Sequence, residues 1–559
     1  MKSTNDKSQP KRDWLSIIDK PTFLLPAILI LIAVIVGIAA PKAFEKGANA
    51  ALSFLTVDFG WLYAISTFAL LIFCLWAGFS KYGNIKLGGK DAKPEMSFWA
   101  WFSIALTSGI AIGIVFWSVA EPLANFTNPP AFIGIEGGTP EAAEHALPYV
   151  FMHWGLHPYA IYTAVGVCCA FIIMNGKQKF QVSSALYPLL GEKANGTLGK
   201  IINGICIFAL VGGIGTSLGM AVQQFVTGIG YVFGVEVDAN ILAIFVIGGM
   251  AIFYIVAACS GLHKGIKYIS QANMYIYIAL LVWAFIFGGT LFIINCTTSA
   301  VGQYLAILVP QSFYLEPAFQ SGWVSGTTIF YWAWWLAFAP LVGLFLIMLS
   351  KGRTIRQFVL VNMIVPTIFA IAWFGVFGSS SMLVEMTQGG LADTIAEYGV
   401  AAALFAYVKT LPLSPILIVL AFLAIIFSFA TLAESMTLSL AEMTTTEEEM
   451  ARRNKEGRSA PTFLKIIWGS LMGLIAFALF YSGGLSAMQT SCVVCAFPIL
   501  IIMGMMVASY IKSMKHRSEY DMTLTDKERE ALRQEENKNA NGSLMDKVEA
   551  PQETPQETA

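Results

Sequence analysis

Apolar runs close to the length of a membrane-spanning helix recur along the whole chain, and no other feature narrows its fold as far. Phe23 to Ala40, Trp61 to Phe79 and Ile416 to Phe427 are examples. A bilayer core of roughly 30 Å needs about 20 apolar residues in a helix, and these runs repeatedly meet or approach that length. Only 12% of the 559 residues are charged, against roughly 25% in soluble domains, so the polar surface of a water-soluble chain is missing. A net charge of −1 offers no field for nucleic acid. Met1 to Asp19 is polar and too long a lead for a cleaved signal peptide, so the first span is read as retained.

Marking the apolar segments gives about twelve spans, near 22–40, 61–79, 98–119, 147–174, 201–234, 240–258, 274–294, 327–347, 359–376, 413–441, 463–480 and 487–511. Lys and Arg gather in alternate loops: Lys81, Lys86, Lys90 and Lys93; Lys177, Lys179, Lys193 and Lys200; Lys264 and Lys267; Lys351, Arg353 and Arg356; Arg452, Arg453, Lys455 and Arg458. The intervening loops are nearly free of bases, with Lys42, Lys46 and Lys409 as exceptions, and Glu121 to Ala146 carries Glu136, Glu141 and Glu144 instead. By the positive-inside rule, this alternation predicts an even number of spans in the cytoplasmic membrane with both termini cytoplasmic. Thr298 to Leu308 reads as an amphipathic interfacial stretch, and Gly389 to Tyr407 as a short helix on the outer face. Asp526 to Glu535 reads as a solvated helix, and Asn537 to Ala559 as disordered.

The third span holds Ser108-Gly109-Ile110-Ala111-Ile112-Gly113 and then Phe116 to Pro122. Small residues at this density weaken a helix and bare its backbone. Two readings stand: a Gly-x-x-x-Gly packing face, or an unwound segment whose free dipoles meet a carboxylate or an ion. The eighth span holds Phe330-Tyr331-Trp332-Ala333-Trp334-Trp335-Leu336-Ala337-Phe338 ahead of Pro340, more rings than an interfacial anchor requires. The fourth adds His153-Trp154-Gly155-Leu156-His157-Pro158-Tyr159-Ala160-Ile161-Tyr162. Such clusters suit a trimethylammonium group. It carries a full charge but no N–H, so a carboxylate cannot hydrogen-bond it, whereas an aromatic face attracts it by about 2 kcal/mol when desolvated.

These segments, with Gly261-Leu262-His263-Lys264-Gly265-Ile266 and Lys351-Gly352-Arg353-Thr354-Ile355-Arg356, resemble the betaine/carnitine/choline transporter family. The resemblance implies an all-α integral membrane protein with two five-helix inverted repeats of the leucine-transporter type. The division would be a tail at 1–20, two leading helices at 21–80 and a first repeat at 98–294. An interfacial helix at 298–312, a second repeat at 327–511 and a polar tail at 512–559 would follow. It implies a homotrimer in contact with lipid, and a secondary transporter of glycine betaine, carnitine or a related solute. By position, its aromatic box maps onto Trp154, Tyr159, Tyr162 and Trp335. Trp332, Trp334 and Phe338 would line the path, with backbone at Gly109, Ile110, Ala111 and Gly113 meeting a substrate carboxylate. Tyr159 and Phe338 stand where betaine carriers usually have Trp. Gly113 stands where the choline branch tends to place an acid, which favours a zwitterion.

Coupling by Na⁺ is expected, with no other cofactor. One sodium site of the family maps to Thr107, Ile110, Ser428 and Thr431, where Leu432 replaces the usual second hydroxyl; a second maps to Thr216 and Ser217. The exchanger branch carries an Arg at the place of Met274, and none lies near it here. Proton coupling or exchange of choline, a methylamine or a sulfonium analogue, and a sensor without flux, remain as alternatives. No H-E-x-x-H, G-x-S-x-G or phosphate loop accompanies the spans, which argues against an enzyme. Glu121 and Glu434 are intramembrane acids and hence functional candidates, with a cap, a gate contact or a structural role as the other readings. His153 and His157, one turn apart, are read as structural hydrogen-bonding groups, and Cys492-x-x-Cys495 as packing. From Lys512 onward eight bases face eleven acids, unlike the basic tail of osmosensing relatives.

Overall fold

The computed structural model describes residues 14–110, 112–235, 238–260 and 267–548, with only the main chain at Trp14, at Ile110 and at 539–548. Ala111, Gly261 to Ile266 and the chain beyond Val548 lie outside the described residues.

Apart from two isolated bridges, the regular structure among these residues is helical. The chain begins with α1 (Lys20–Ala39), α2 (Pro41–Ser53) and α3 (Gly60–Phe79). Next come α4 (Phe98–Ile110), α5 (Gly113–Thr127), α6 (Pro140–Trp154), α7 (Leu156–Ala170), the single turn α8 (Tyr187–Leu190) and α9 (Thr197–Phe233). Then follow α10 (Ala239–Ser260), α11 (Lys267–Phe287) and α12 (Thr290–Phe313). The second half runs through α13 (Phe330–Met348), α14 (Ile355–Val359), α15 (Val365–Thr387), α16 (Leu391–Tyr398), α17 (Ala403–Lys409) and α18 (Ser414–Met443). It ends with α19 (Glu447–Lys455), α20 (Thr462–Lys515), α21 (Arg517–Tyr520) and α22 (Asp526–Val548).

Among the described residues, eleven helical stretches are long and apolar enough to cross a membrane, or twelve with α4–α5 counted as one bent span. The 54 residues of α20 break at Gly484, where φ is 57° and ψ −135°, dividing it into two arms. Burial sorts the helices. Leu24, Ile28, Ile32 and Ile35 of α1 are exposed apolar side chains that suit lipid, whereas every residue of α13 from Phe330 to Ile347 is buried. A helix apolar all round belongs at the centre of the bundle. The close packing of α13 on α7 needs Gly343, since a Cβ there would lie 2.6 Å from Val165 Cγ1 and 2.9 Å from the Gly166 nitrogen.

Two breaks position the site. Between α4 and α5 the axis turns by 58°, and the helix restarts where Phe116 N–H donates to the Ile112 carbonyl at 2.9 Å. Between α6 and α7 the chain breaks at Gly155 (φ −99°, ψ −129°). A Cβ there would meet the Phe151 carbonyl oxygen at 2.4 Å and Tyr304 Oη at 2.8 Å. That same hydroxyl accepts the Leu156 N–H, freed by the break, at 3.1 Å, so α12 satisfies the donor that the break exposes.

Three segments differ from the sequence reading. The fourth span is two helices rather than one. The segment expected at 298–312 is part of a 24-residue helix that starts at Thr290, after a sharp turn at Gly289 with φ +91°. The tail stays helical through Val548, past the point expected to be disordered, and it is docked rather than free. Lys81 pairs with Glu535 at 3.4 Å, Lys90 pairs with Glu528, and Glu536 accepts the Ser518 N–H at 3.0 Å. Asn175 joins the pieces beneath: its amide donates to the Lys86 carbonyl at 3.1 Å and accepts Gly88 N–H at 3.0 Å. Its carbonyl accepts Met522 N–H at 2.9 Å.

Candidate functional site

Helical periodicity divides the aromatic run of α13. Trp334, Trp335 and Phe338 line a small cavity, together with Gly109 and Gly113 of the broken span, Trp154, Tyr162, Ser217 and Leu432. Trp335 forms the centre of the ring cluster, with centroids of Tyr162, Tyr159 and Trp154 at 4.9, 5.3 and 5.7 Å. Trp154 meets Trp334 edge to face at 6.1 Å. Tyr159 supports Trp335 without lining the cavity. Trp332 turns away: its ring stacks on His157 at 5.2 Å and its indole donates to the Met152 carbonyl at 3.4 Å.

Glycine makes the opposite wall. At Gly113 the Trp154 ring comes so close that a Cβ would lie 2.7 Å from its Cη2, whereas at Gly109 the nearest side-chain atoms, on Tyr162, would be 3.9 Å away. The indole N–H groups of Trp334 and Trp335 are buried and find no protein acceptor among the described residues. The cavity therefore offers π faces and bare backbone, and no carboxylate is among its lining residues. That combination suits a zwitterion with a methylated cationic head.

Three of the residues expected to hold sodium converge. The Thr431 hydroxyl donates to the Thr107 carbonyl at 3.3 Å and the Ser428 carbonyl at 3.0 Å. Thr107 turns its own hydroxyl to the Ser103 carbonyl at 2.8 Å, and Ser428 bonds the Tyr277 hydroxyl at 2.6 Å. One step along, Ser108 and Ser435 share a 3.0 Å hydroxyl pair, tying α4 to α18. Thr216 and Ser217 diverge: the Thr216 hydroxyl donates to the Met488 carbonyl at 2.6 Å, while Ser217 faces the cavity. Ile110 ends α4, and Ala111 is outside the described residues.

The polar groups near the box fall into two sets. Glu121 of α5 accepts the Trp154 indole N–H at 2.6 Å and bonds His153 Nδ1 at 2.5 Å, and His153 Nε2 reaches the Thr328 hydroxyl at 2.9 Å. His157 takes a different partner, Ser312, at 2.7 Å. Glu434 is buried with no hydrogen-bond partner among the described residues. Sequence reasoning missed Phe374, whose ring lies 5.2 Å from Trp154, because one phenylalanine in an apolar span carries no signal. It also missed Leu432 as a wall residue, having treated that position only as a lost hydroxyl.

The family model described as betaine/carnitine/choline family transporter (BCCT) matches residues 21–519. A probable glycine betaine transporter of Desulfitobacterium hafniense is 36% identical over 88% of this chain and 96% of its own length. The glycine betaine transporter OpuD of Bacillus subtilis is 37% identical, over 87% and 93%. An ectoine/hydroxyectoine transporter of Virgibacillus pantothenticus is 33% identical, over 89% and 97%.

Proposed function

Because the chain belongs to the betaine/carnitine/choline transporter family, we propose that it accumulates a trimethylammonium zwitterion of the glycine betaine type by sodium-coupled alternating access. The observation that carries this reading is the single cavity shared by Trp154, Tyr162, Trp334, Trp335 and Phe338 with the bare backbone of Gly109 and Gly113. The methylated head sits among the rings, each desolvated face contributing about 2 kcal/mol, and the carboxylate meets the glycine stretch. The relatives named for glycine betaine support that solute over free choline, as does the glycine at position 113.

For coupling, the contact of Thr431 with the Thr107 carbonyl supports one sodium site at the α4–α18 junction. The divergence of Thr216 and Ser217 leaves the second without comparable support. One Na⁺ crossing 100 mV supplies about 2.3 kcal/mol. The alternating basic loops support cytoplasmic termini, and the family resemblance supports a homotrimer.

Proteoliposome uptake of labelled glycine betaine, carnitine and choline, with and without an inward sodium gradient, tests the reading. Sodium-driven betaine accumulation should be blocked by trimethylammonium competitors and not by amino acids; ectoine as competitor tests the chemistry of the third relative. Uptake indifferent to trimethylammonium compounds would overturn the substrate assignment. Equal uptake without the gradient would overturn only the coupling.

A further inference from the structure

The carboxylate closest to the aromatic box lies behind the box, hydrogen-bonded to one of its rings. Glu121 is 5% exposed and Trp154 is 1% exposed. An indole N–H can only donate, so Glu121 Oε2 accepts it, at 2.6 Å. The other oxygen, Oε1, is held by His153 Nδ1 at 2.5 Å, and His153 is itself fixed on both sides. Its Nε2 bonds Thr328 Oγ1 at 2.9 Å, and its ring stacks on Tyr331 at 4.8 Å with 20° between planes. The chain Thr328–His153–Glu121–Trp154 thus joins the approach to α13, the end of α6 and the middle of α5. The indole is anchored at its pyrrole end, while its benzo end, Cη2 and Cζ3, closes over Gly113 at the cavity wall.

We infer that Glu121 is a positioning and specificity-determining residue, the remote counter-charge of the substrate's cationic head, acting through the indole of Trp154. Three physical effects combine. The hydrogen bond fixes one ring orientation, so the π face is in place before substrate arrives. A carboxylate accepting the N–H pushes electron density into the indole, which deepens the negative potential of the face that meets the cation. Its charge also acts through space across the ring. Across the width of one ring, at an effective dielectric of about 20, that attraction favours a cation over a neutral group of equal shape by about ten-fold or more. A trimethylammonium group cannot donate a hydrogen bond, so a carboxylate in direct contact would lose its hydration with no hydrogen bond in return. Behind the ring, the same carboxylate keeps its protein donors and still attracts the head.

The inference rests on the aromatic-box reading, and its test separates the two. Glycine betaine and 3,3-dimethylbutanoate share a carboxylate and a shape, differing in a charged N⁺ against a neutral carbon. Their affinities for the full-length purified protein, by displacement of labelled betaine, give a preference ratio. Glu121→Gln keeps an oxygen that can accept the Trp154 N–H and removes the charge. It should lower the betaine preference about ten-fold or more, chiefly by weakening betaine binding. A wild-type ratio in Glu121→Gln, or equal loss for both ligands, would overturn the counter-charge role and leave the box standing. A wild-type protein without preference for betaine would sink the box itself. Should Glu121→Gln not fold, Trp154→Phe keeps a ring and the carboxylate but cuts the bond between them. It should lose part of the same preference, and an unchanged ratio there would overturn the coupling through the indole.

Discussion

The benzo ring of Trp154 closes over the bare Cα of Gly113, so that a Cβ at that position would stand 2.7 Å from Trp154 Cη2 and 3.0 Å from Trp334 Cη2. Gly113 opens α5 just after the break that follows Ile110, and Trp154 closes α6 just before the break at Gly155.

Gly113→Ala should therefore weaken glycine betaine binding far more than Gly109→Ala. Overpacking of a filled site costs about 1–3 kcal/mol, which corresponds to roughly five- to 150-fold in affinity. At Gly109 the nearest side-chain atoms would be 3.9 Å from a Cβ, an ordinary contact, so the change there should stay within about threefold. Calorimetric titration of both variants checks the order; similar losses would mean the Trp154 ring moves freely.

Trp335 touches more of the box than any other ring, with Tyr162, Tyr159 and Trp154 all within 5.7 Å of it. Trp335→Ala should weaken substrate binding about thirty-fold or more, the loss of one desolvated cation–π face, while Trp335→Phe should keep part of it. Thermal unfolding of both variants separates this from the packing defect that removing a buried indole creates. Wild-type affinity in the Ala variant would count against the box.

The span pattern and the aromatic cluster were legible because each is written in consecutive residues: lipid demands apolar length, and a methylated cation demands rings. What escaped depends on geometry between distant residues. At the Gly155 break, Pro158 is the local signal, since it has no N–H to give the preceding turn, whereas Tyr304, which arrives from α12 and caps Leu156, is visible only in the fold. Thr216 and Ser217 read as a pair of hydroxyls, yet neighbours on a helix point about 100° apart, and one faces α20 while the other faces the cavity. The sequence reads Asp526 to Glu535 as a solvated helix and Asn537 onward as disordered, whereas the helix runs on to Val548. Its acids also find Lys81 and Lys90 more than four hundred positions away in sequence. Glu121 was visible as an intramembrane acid, while its bond to Trp154 required the fold.

Thr431 gives the coupling reading a direct check. Its hydroxyl donates at 3.3 Å to the Thr107 carbonyl, leaving oxygen lone pairs free to accept a cation at the α4–α18 junction. Thr431→Val keeps the shape and removes the oxygen, so the sodium concentration for half-maximal uptake should rise about ten-fold. Thr431→Ser should remain near wild type. Initial uptake rates across a sodium series at saturating betaine measure it, and an unmoved sodium response in Thr431→Val would take this residue out of the ion site.

The docking of α22 should depend on pH and on salt. Glu528 pairs with Lys90, and this bond, with the Thr525 N–H and hydroxyl, pushes its pKa down from 4.5 to about 2. A carboxyl whose pKa is lower when docked than when free stabilises docking fully above the free value. That contribution disappears as pH falls from about 4.5 towards about 2. Lys90 and Lys81 are well exposed, so added salt should weaken the same contacts. A spin label at Gln534→Cys should be immobilised at pH 7 in low salt, and freer both at pH 3 and in high salt. Glu528→Gln should loosen it at pH 7 and remove most of its pH response. A label equally immobile at pH 7 and pH 3 would show that these carboxylates do not hold the tail, leaving the Glu536–Ser518 and Asn175 contacts to account for it.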